Sequence, residues 1–140
     1  MKFEDFIKSG HVKKAVKDIQ LAKSLVETAE QDLEFLGSIA LSSISSRKIV
    51  SNYYDVLRSL LEADASLSGF KVYSHEAFTY YLKENQEENS SSKFERLRKI
   101  RNAINYYGKS ISMEEAEDTV NELKNFIEQI KSRILRTIQK

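Results

Sequence analysis

Proline is absent from this chain of 140 residues, and glycine occurs at only four positions, Gly10, Gly37, Gly69 and Gly108. Average sequences carry about 5% proline and about 7% glycine. Tight turns depend on those residues and on asparagine, and an all-β sandwich or barrel needs many such turns. The shortage therefore predicts an all-α fold with few connections. The glycines cut the chain into helix-sized stretches, and the length suits a single domain spanning 1–140.

Other counts remove whole classes of chemistry. The chain has no cysteine, so disulfides, thiolate metal sites and a cysteine nucleophile are excluded together. Lysine plus arginine (22) nearly balances aspartate plus glutamate (21), so no global field advertises nucleic acid or a membrane. The first six residues lack the basic region and apolar run of a signal peptide. No apolar run approaches the roughly 18 residues that span a bilayer. The expectation is a cytoplasmic protein without a membrane segment.

Apolar spacing places the helices. Phe3, Phe6 and Ile7 form a short opening segment that ends near Gly10. Val12, Val16, Ile19, Ala22, Val26, Ala29, Leu33 and Leu36 step by three and four, which predicts a helix from about His11 to Leu36, with Gly37 as a left-handed cap. Residues 38–46 alternate serine with apolar residues and read equally as loop or helix start. A helix from about Arg47 to Gly69 carries Val50, Tyr53, Tyr54, Leu57, Leu60, Leu61 and Leu67 inward. Ser74 or its neighbour caps a short helix holding Ala77, Phe78, Tyr81 and Leu82. The acidic, then serine-rich stretch from Lys83 to Ser92 reads as a mobile loop. Capping-box spacing at Ser92 and Glu95 starts a helix that runs to Gly108. A second box at Ser112 and Glu115 precedes the strongest signal, in which Met113, Ala116, Val120, Leu123, Ile127, Ile130, Ile134 and Ile138 repeat for about seven turns. Together these predict an up-and-down bundle of four main helices plus one or two short ones.

Few residues stand out as chemical groups. The two histidines, His11 and His75, lack a glutamate three residues earlier, so the di-iron pattern of helical bundles is missing, and a zinc site lacks ligands. No metal and no cofactor are expected, and no glycine pair has the spacing of a phosphate-cradling loop. The informative stretch is Lys93 to Gly108. Phe94, Leu97, Ile100, Ile104 and Tyr107 share one apolar arc, and Arg101 projects inside it, with Asn105 at its margin and Arg98 on the same flank. A guanidinium in a core-facing direction is costly unless paired or opened onto a cavity. Two readings stand side by side: Arg101 pairs with a buried acid such as Asp64, or it faces a groove and binds phosphate. Five cations between Lys93 and Arg101, followed by Tyr106 and Tyr107, suit either a solvated helix face or contact with nucleic acid.

At this point the sequence resembles the HEPN domains (higher eukaryotes and prokaryotes nucleotide-binding) over nearly its whole length. The long first helix precedes Ser51-Asn52-Tyr53-Tyr54-Asp55-Val56-Leu57, which looks like the family's second helix with paired aromatics. Residues Gly69 to Ala77, with Ser74-His75, are similar to a connection in which members carry serine-histidine at the next helix start. Arg101-Asn102-Ala103-Ile104-Asn105-Tyr106-Tyr107-Gly108 looks like the signature helix end, and the helix from Met113 completes the order. The resemblance implies a helical bundle that dimerises and, in many members, cleaves RNA without metal. Several members are toxins paired with a minimal nucleotidyltransferase antitoxin. In those ribonucleases an arginine holds the scissile phosphate, and a histidine that follows after four to six intervening residues assists proton transfer.

Carried over residue by residue, Arg101 matches the arginine and Asn102 the adjacent polar residue. The histidine's places hold Tyr106, Tyr107 and Gly108, and a phenol with a pKa near 10 is a poor base at neutral pH. His75 matches a helix start and reads as a cap or packing contact. The leading expectation is a homodimeric, catalytically degenerate relative working with a minimal nucleotidyltransferase, RNA or nucleotide. Arg98, Arg101 and Asn105 would bind, and Arg101, Asn102 and Tyr106 would stand in the catalytic positions. An active metal-independent endoribonuclease is the alternative, and a scaffold bundle without a nucleotide site is the third.

Overall fold

The longest apolar stripe of the sequence becomes the longest helix of the structure. In the computed structural model, which describes residues 1–85 and 88–139, helix α6 spans Met113–Ile138. Its cap forms as expected: Ser112 Oγ accepts the Glu115 backbone N–H at 3.1 Å, a bond whose loss costs a helix about 1 kcal/mol. Ala116, Val120, Leu123, Ile127, Ile130 and Ile134 are buried along one face.

The described residues form six helices in all. Beside α6, the long ones are α2 (Ile19–Gly37), α3 (Ser46–Leu67) and α5 (Glu88–Tyr106); α1 (Phe3–Lys8) and α4 (His75–Glu84) are short. The predicted helical bundle, with four main helices and two short ones, is the fold observed. Helix α3 is its centre, packing on α2, α6 and α5. This explains why Leu57, Leu60, Leu61 and Ala63 lose all exposure. Helix α4 packs on α5, and α1 closes over α4, where Phe3 meets Tyr81 and Phe6 meets Tyr80 at ring separations of 5.6 and 5.3 Å.

Five expectations need correction. The first long helix does not begin at His11. Val12–Lys14 is a strand, β1, paired antiparallel with β2 (Phe70–Val72), with Val12 opposite Val72. Val12 fits a helical stripe and a strand equally well, and its β-branched side chain is buried in the strand. Val16, the next member of the supposed stripe, is 90% exposed. Gly69 allows the ribbon to form: its φ is +87°, and a Cβ there would sit 3.2 Å from the carbonyl oxygen of Ala15, whose backbone N–H bonds across the ribbon to the Gly69 carbonyl at 2.8 Å.

Gly37 is not a left-handed cap. It is the last residue of α2, and Ser38 follows it, donating its hydroxyl to the Phe35 carbonyl at 2.6 Å.

The expected loop from Lys83 to Ser92 is mostly helix. Helix α4 runs through Glu84 and α5 starts at Glu88; Gln86 and Glu87, also part of that loop, lie outside the described residues. Ser90 and Ser91 are buried although polar. Ser91 Oγ donates to the Thr79 carbonyl at 2.8 Å, so the serine ties α5 to α4. Consequently Ser92 caps nothing, and Glu95 accepts from Thr79 and Arg98 instead. Tyr107 lies beyond the end of α5 and is exposed, so it does not join the apolar arc.

Candidate phosphate-facing site

Phe94, Leu97 and Ile104 are buried, and together they fix the rotation of α5. That rotation leaves Arg101 no direction but toward α3, as its position in the apolar arc implies. Its side chain is 13% exposed. Nη2 donates to Asp55 Oδ1 at 3.2 Å, and Nη1 reaches the Tyr106 hydroxyl at 3.4 Å. The guanidinium carbon lies 5.3 Å from the Tyr54 ring centre and 5.7 Å from that of Tyr106. Nε is buried and has no hydrogen-bond partner. A guanidinium offers five N–H donors in a planar fork, so this one is incompletely satisfied.

The acid that holds Arg101 is therefore Asp55, not Asp64. Asp64 is taken by Arg133 of α6, whose Nε and Nη2 donate to its two oxygens at 3.2 and 3.0 Å. Tyr81 also donates to Asp64, at 2.8 Å. The core-like spacing of Asp64 after Leu57 and Leu60 correctly marked a buried acid, but sequence spacing cannot choose between two arginines.

A histidine enters the same cluster from α4. His75 Nδ1 lies 3.4 Å from the Tyr54 hydroxyl, and Tyr54 in turn stacks on Phe94 at 5.8 Å. Burial lowers the His75 pKa to about 4, assisted by the positive charges of Arg58, Arg101 and Arg98. The imidazole is neutral at pH 7. Burial pushes the Tyr54 phenol upward, against the pull of the same three arginines. Three cations from two helices thus converge on one Tyr–His pair. Arg98 is itself clamped by both oxygens of Glu95, at 2.5 and 3.2 Å, a hydrogen-bonded contact that raises its pKa. Burial disfavours the Glu95 carboxylate, but hydrogen bonds from Arg98 and Thr79 hold its pKa below the ordinary value. Arg58 lies 3.5 Å from Glu62 one turn on.

Beside Asp55 opens a groove of about 480 Å³ lined by Arg47, Lys48, Asn52, Asp55, Asn105 and Tyr106, with Ser51, Ile104 and Gly108 completing its wall. Neither Arg47 nor Lys48 is in an ion pair among the described residues. Gly108, with φ +63°, turns the chain away at its end. Of the residues singled out in the sequence, Arg98 and Arg101 lie in the charged cluster, and Asn105 and Tyr106 line the groove. Asn102 is half-buried on α5 and adds no hydrogen bond to either. Arg47, Lys48 and Arg58 were not singled out, because lysines and arginines along α3 read as ordinary solvated positions. His75 needed the fold, since 26 residues of chain separate it from Arg101. Among the described residues no three His, Asp or Glu side chains gather as a metal site requires, and no helix is long and apolar enough to cross a membrane.

No family of known proteins, no curated protein and no solved structure matches the chain.

Proposed function

We propose that this chain is a HEPN-like bundle that binds a phosphate group of RNA or a nucleotide at Arg101, without efficient turnover, and acts as a homodimer with a minimal nucleotidyltransferase partner. The observation that carries the phosphate reading is the half-satisfied guanidinium. One carboxylate oxygen holds it at 3.2 Å, its Nε is unpartnered, and Asp55 also lines a groove with two cations that form no ion pair among the described residues. A phosphate oxygen offers the planar, charge-assisted contact that such a fork lacks. The pairing with a nucleotidyltransferase rests on the resemblance of the helix order and the Arg101-Asn102 signature. Dimerisation is supported by Tyr106 and Tyr107, two exposed aromatics at the end of the signature helix. Light scattering at micromolar concentration should give twice the chain mass, and a monomer would remove that part of the reading.

His75 favours a second reading, metal-independent RNA cleavage. An RNA 2′-hydroxyl can attack its own phosphate if a base takes its proton and a cation stabilises the developing charge. His75 is neutral, lies beside Tyr54, and shares that ring with Arg101. A bound phosphate would offset the arginine charges and lift the His75 pKa toward neutrality. Incubating RNA with the protein and a chelator separates the readings. Binding without cleavage fits the degenerate protein. Cleavage lost in both Arg101→Ala and His75→Gln fits the ribonuclease. No binding of RNA or nucleotide by the wild type leaves a scaffold bundle.

A further inference from the structure

The ribbon of β1 and β2 carries an arrangement that packing does not explain. Val12 faces the core and pairs with Val72, and this register puts Lys13 directly opposite Lys71 on the outer face. Strand geometry adds Tyr73 to the same face, two residues beyond Lys71, and its backbone N–H bonds to the His11 carbonyl at 2.8 Å. The outer face therefore reads His11, Lys13, Lys71 and Tyr73, with no acid among them. Like charges placed opposite one another destabilise a strand pair. Here both ammonium groups lean over one ring, 5.7 and 5.5 Å from the centre of Tyr73, and neither forms an ion pair among the described residues. Tyr73 holds the two cations side by side through its ring face and is itself 53% exposed. Two residues further along the chain stands His75, beside the Arg58, Arg98 and Arg101 cluster.

We propose that the Lys13–Lys71 pair is a binding site for the phosphodiester backbone of a single-stranded nucleic acid, which continues from the Arg101 site along the ribbon. The inference deepens the phosphate-binding reading above by making its ligand a polymer. Lys13 and Lys71 each contact a backbone phosphate, which relieves their mutual repulsion, and Tyr73 is the positioning residue that keeps them paired. Nucleic acid fits better than a membrane surface, because the outer face presents cations around one tyrosine and no aliphatic residue.

The test is fluorescence anisotropy of a labelled oligouridylate of about twelve nucleotides, titrated at several salt concentrations. The proteins are wild type, the Lys13→Gln/Lys71→Gln pair, the Lys13→Arg/Lys71→Arg pair and Arg101→Ala, with uridine monophosphate as a second ligand. Each phosphate contact on a single strand contributes about 0.7 to the slope of log affinity against log salt. The glutamine pair should lower the slope by about 1.4, the arginine pair should restore it, and uridine monophosphate binding should be unchanged. Arg101→Ala should weaken both ligands. Unchanged oligomer affinity and slope in the glutamine pair would overturn the proposal. If that variant also self-associates, the lysines serve only to blunt the strand edges. A wild type that binds the oligomer no tighter than the monophosphate overturns it too, while leaving the Arg101 reading standing. Loss of oligomer binding in the glutamine pair with Arg101→Ala unaffected keeps the ribbon site and removes the Arg101 reading. If the glutamine pair loses affinity for phosphatidylserine vesicles and not for the oligomer, the surface belongs to a membrane and the proposal falls.

Discussion

Helix α3 presents two aspartates nine residues apart, and each meets an arginine from a later helix in the neighbourhood of a tyrosine, yet the two groups are built differently. At Asp64 the carboxylate takes two N–H groups of Arg133 and the Tyr81 hydroxyl, and Tyr81 is further bonded to Ser68. Its side chain is 11% exposed. At Asp55 a single oxygen meets a single Arg101 nitrogen, the Arg101 Nε has no partner, and the aspartate is 41% exposed along a groove. The first arrangement uses its polar groups to join α3, α4 and α6. The second leaves one guanidinium nitrogen without a partner and a groove beside the aspartate. On the proposed reading, completeness of pairing separates a structural ion pair from a binding site more clearly than the residue types do.

Removing each acid should expose that contrast. Asp64→Ala removes the acceptor shared by two Arg133 nitrogens and the Tyr81 hydroxyl, and a broken buried pair costs about 3–5 kcal/mol. Urea unfolding should show a loss of that size. Asp55→Ala should cost about 1 kcal/mol or less, since the pair it breaks is partly exposed. Equal losses at the two positions would mean that Arg101 is as structural as Arg133.

Ligand-dependent stability provides the next largest effect. A nucleotide or RNA present at 100-fold above its dissociation constant should stabilise the wild type by about 2.7 kcal/mol. Arg101→Ala should lose most of that melting shift, whereas Arg133→Ala should lower the melting temperature and keep the shift. A shift that survives Arg101→Ala places the ligand elsewhere.

The histidine gives a smaller, pH-dependent difference. Its pKa is lowered on folding to about 4, so the unfolded chain takes up a proton from about pH 6.5 downward while the folded chain resists until about pH 4. The stabilisation is present above pH 6.5 and is lost as pH falls through that window. Because His75 is half-exposed, the loss should be about 1–2 kcal/mol at most. His75→Gln should flatten this part of the stability profile. Glu95, whose pKa is also lowered, loses its contribution only toward the acid end, below its ordinary value, and remains in the variant as a control. An identical profile in wild type and variant would show that burial and the arginine charges do not hold His75 below its ordinary pKa.

The sequence made parts of this contrast legible and hid others for physical reasons. Helix α6 and its Ser112 cap follow from a regular step of three and four behind a capping box, and both are observed. Arg101 stood out because a cation in an apolar arc demands a partner. The identity of that partner was not readable, since Asp55 and Asp64 both lie on α3 and their distances to Arg101 depend on how α5 docks. The start of α5 was hidden because Ser90 and Ser91 look like loop residues until α4 supplies the Thr79 carbonyl that satisfies Ser91. Strand β1 was absorbed into a helical stripe because Val12 and Val16 are four apart, and only long-range pairing with Phe70–Val72 distinguishes the two. His75 could be assigned to a helix start, but its place beside Tyr54 required the packing of α4 against α5 and α3.

The central claim, that Arg101 is held back by Asp55 and available to phosphate, is tested most directly by the oligouridylate affinity of Asp55→Asn. The amide keeps the shape of the side chain and removes the charge that competes for the guanidinium and repels the ligand. A partly exposed pair of this kind is worth up to about 1 kcal/mol, or about fivefold in affinity. The account predicts binding about fivefold tighter than wild type, with the gain abolished when Arg101→Ala is added. Affinity unchanged or weakened in Asp55→Asn would contradict it.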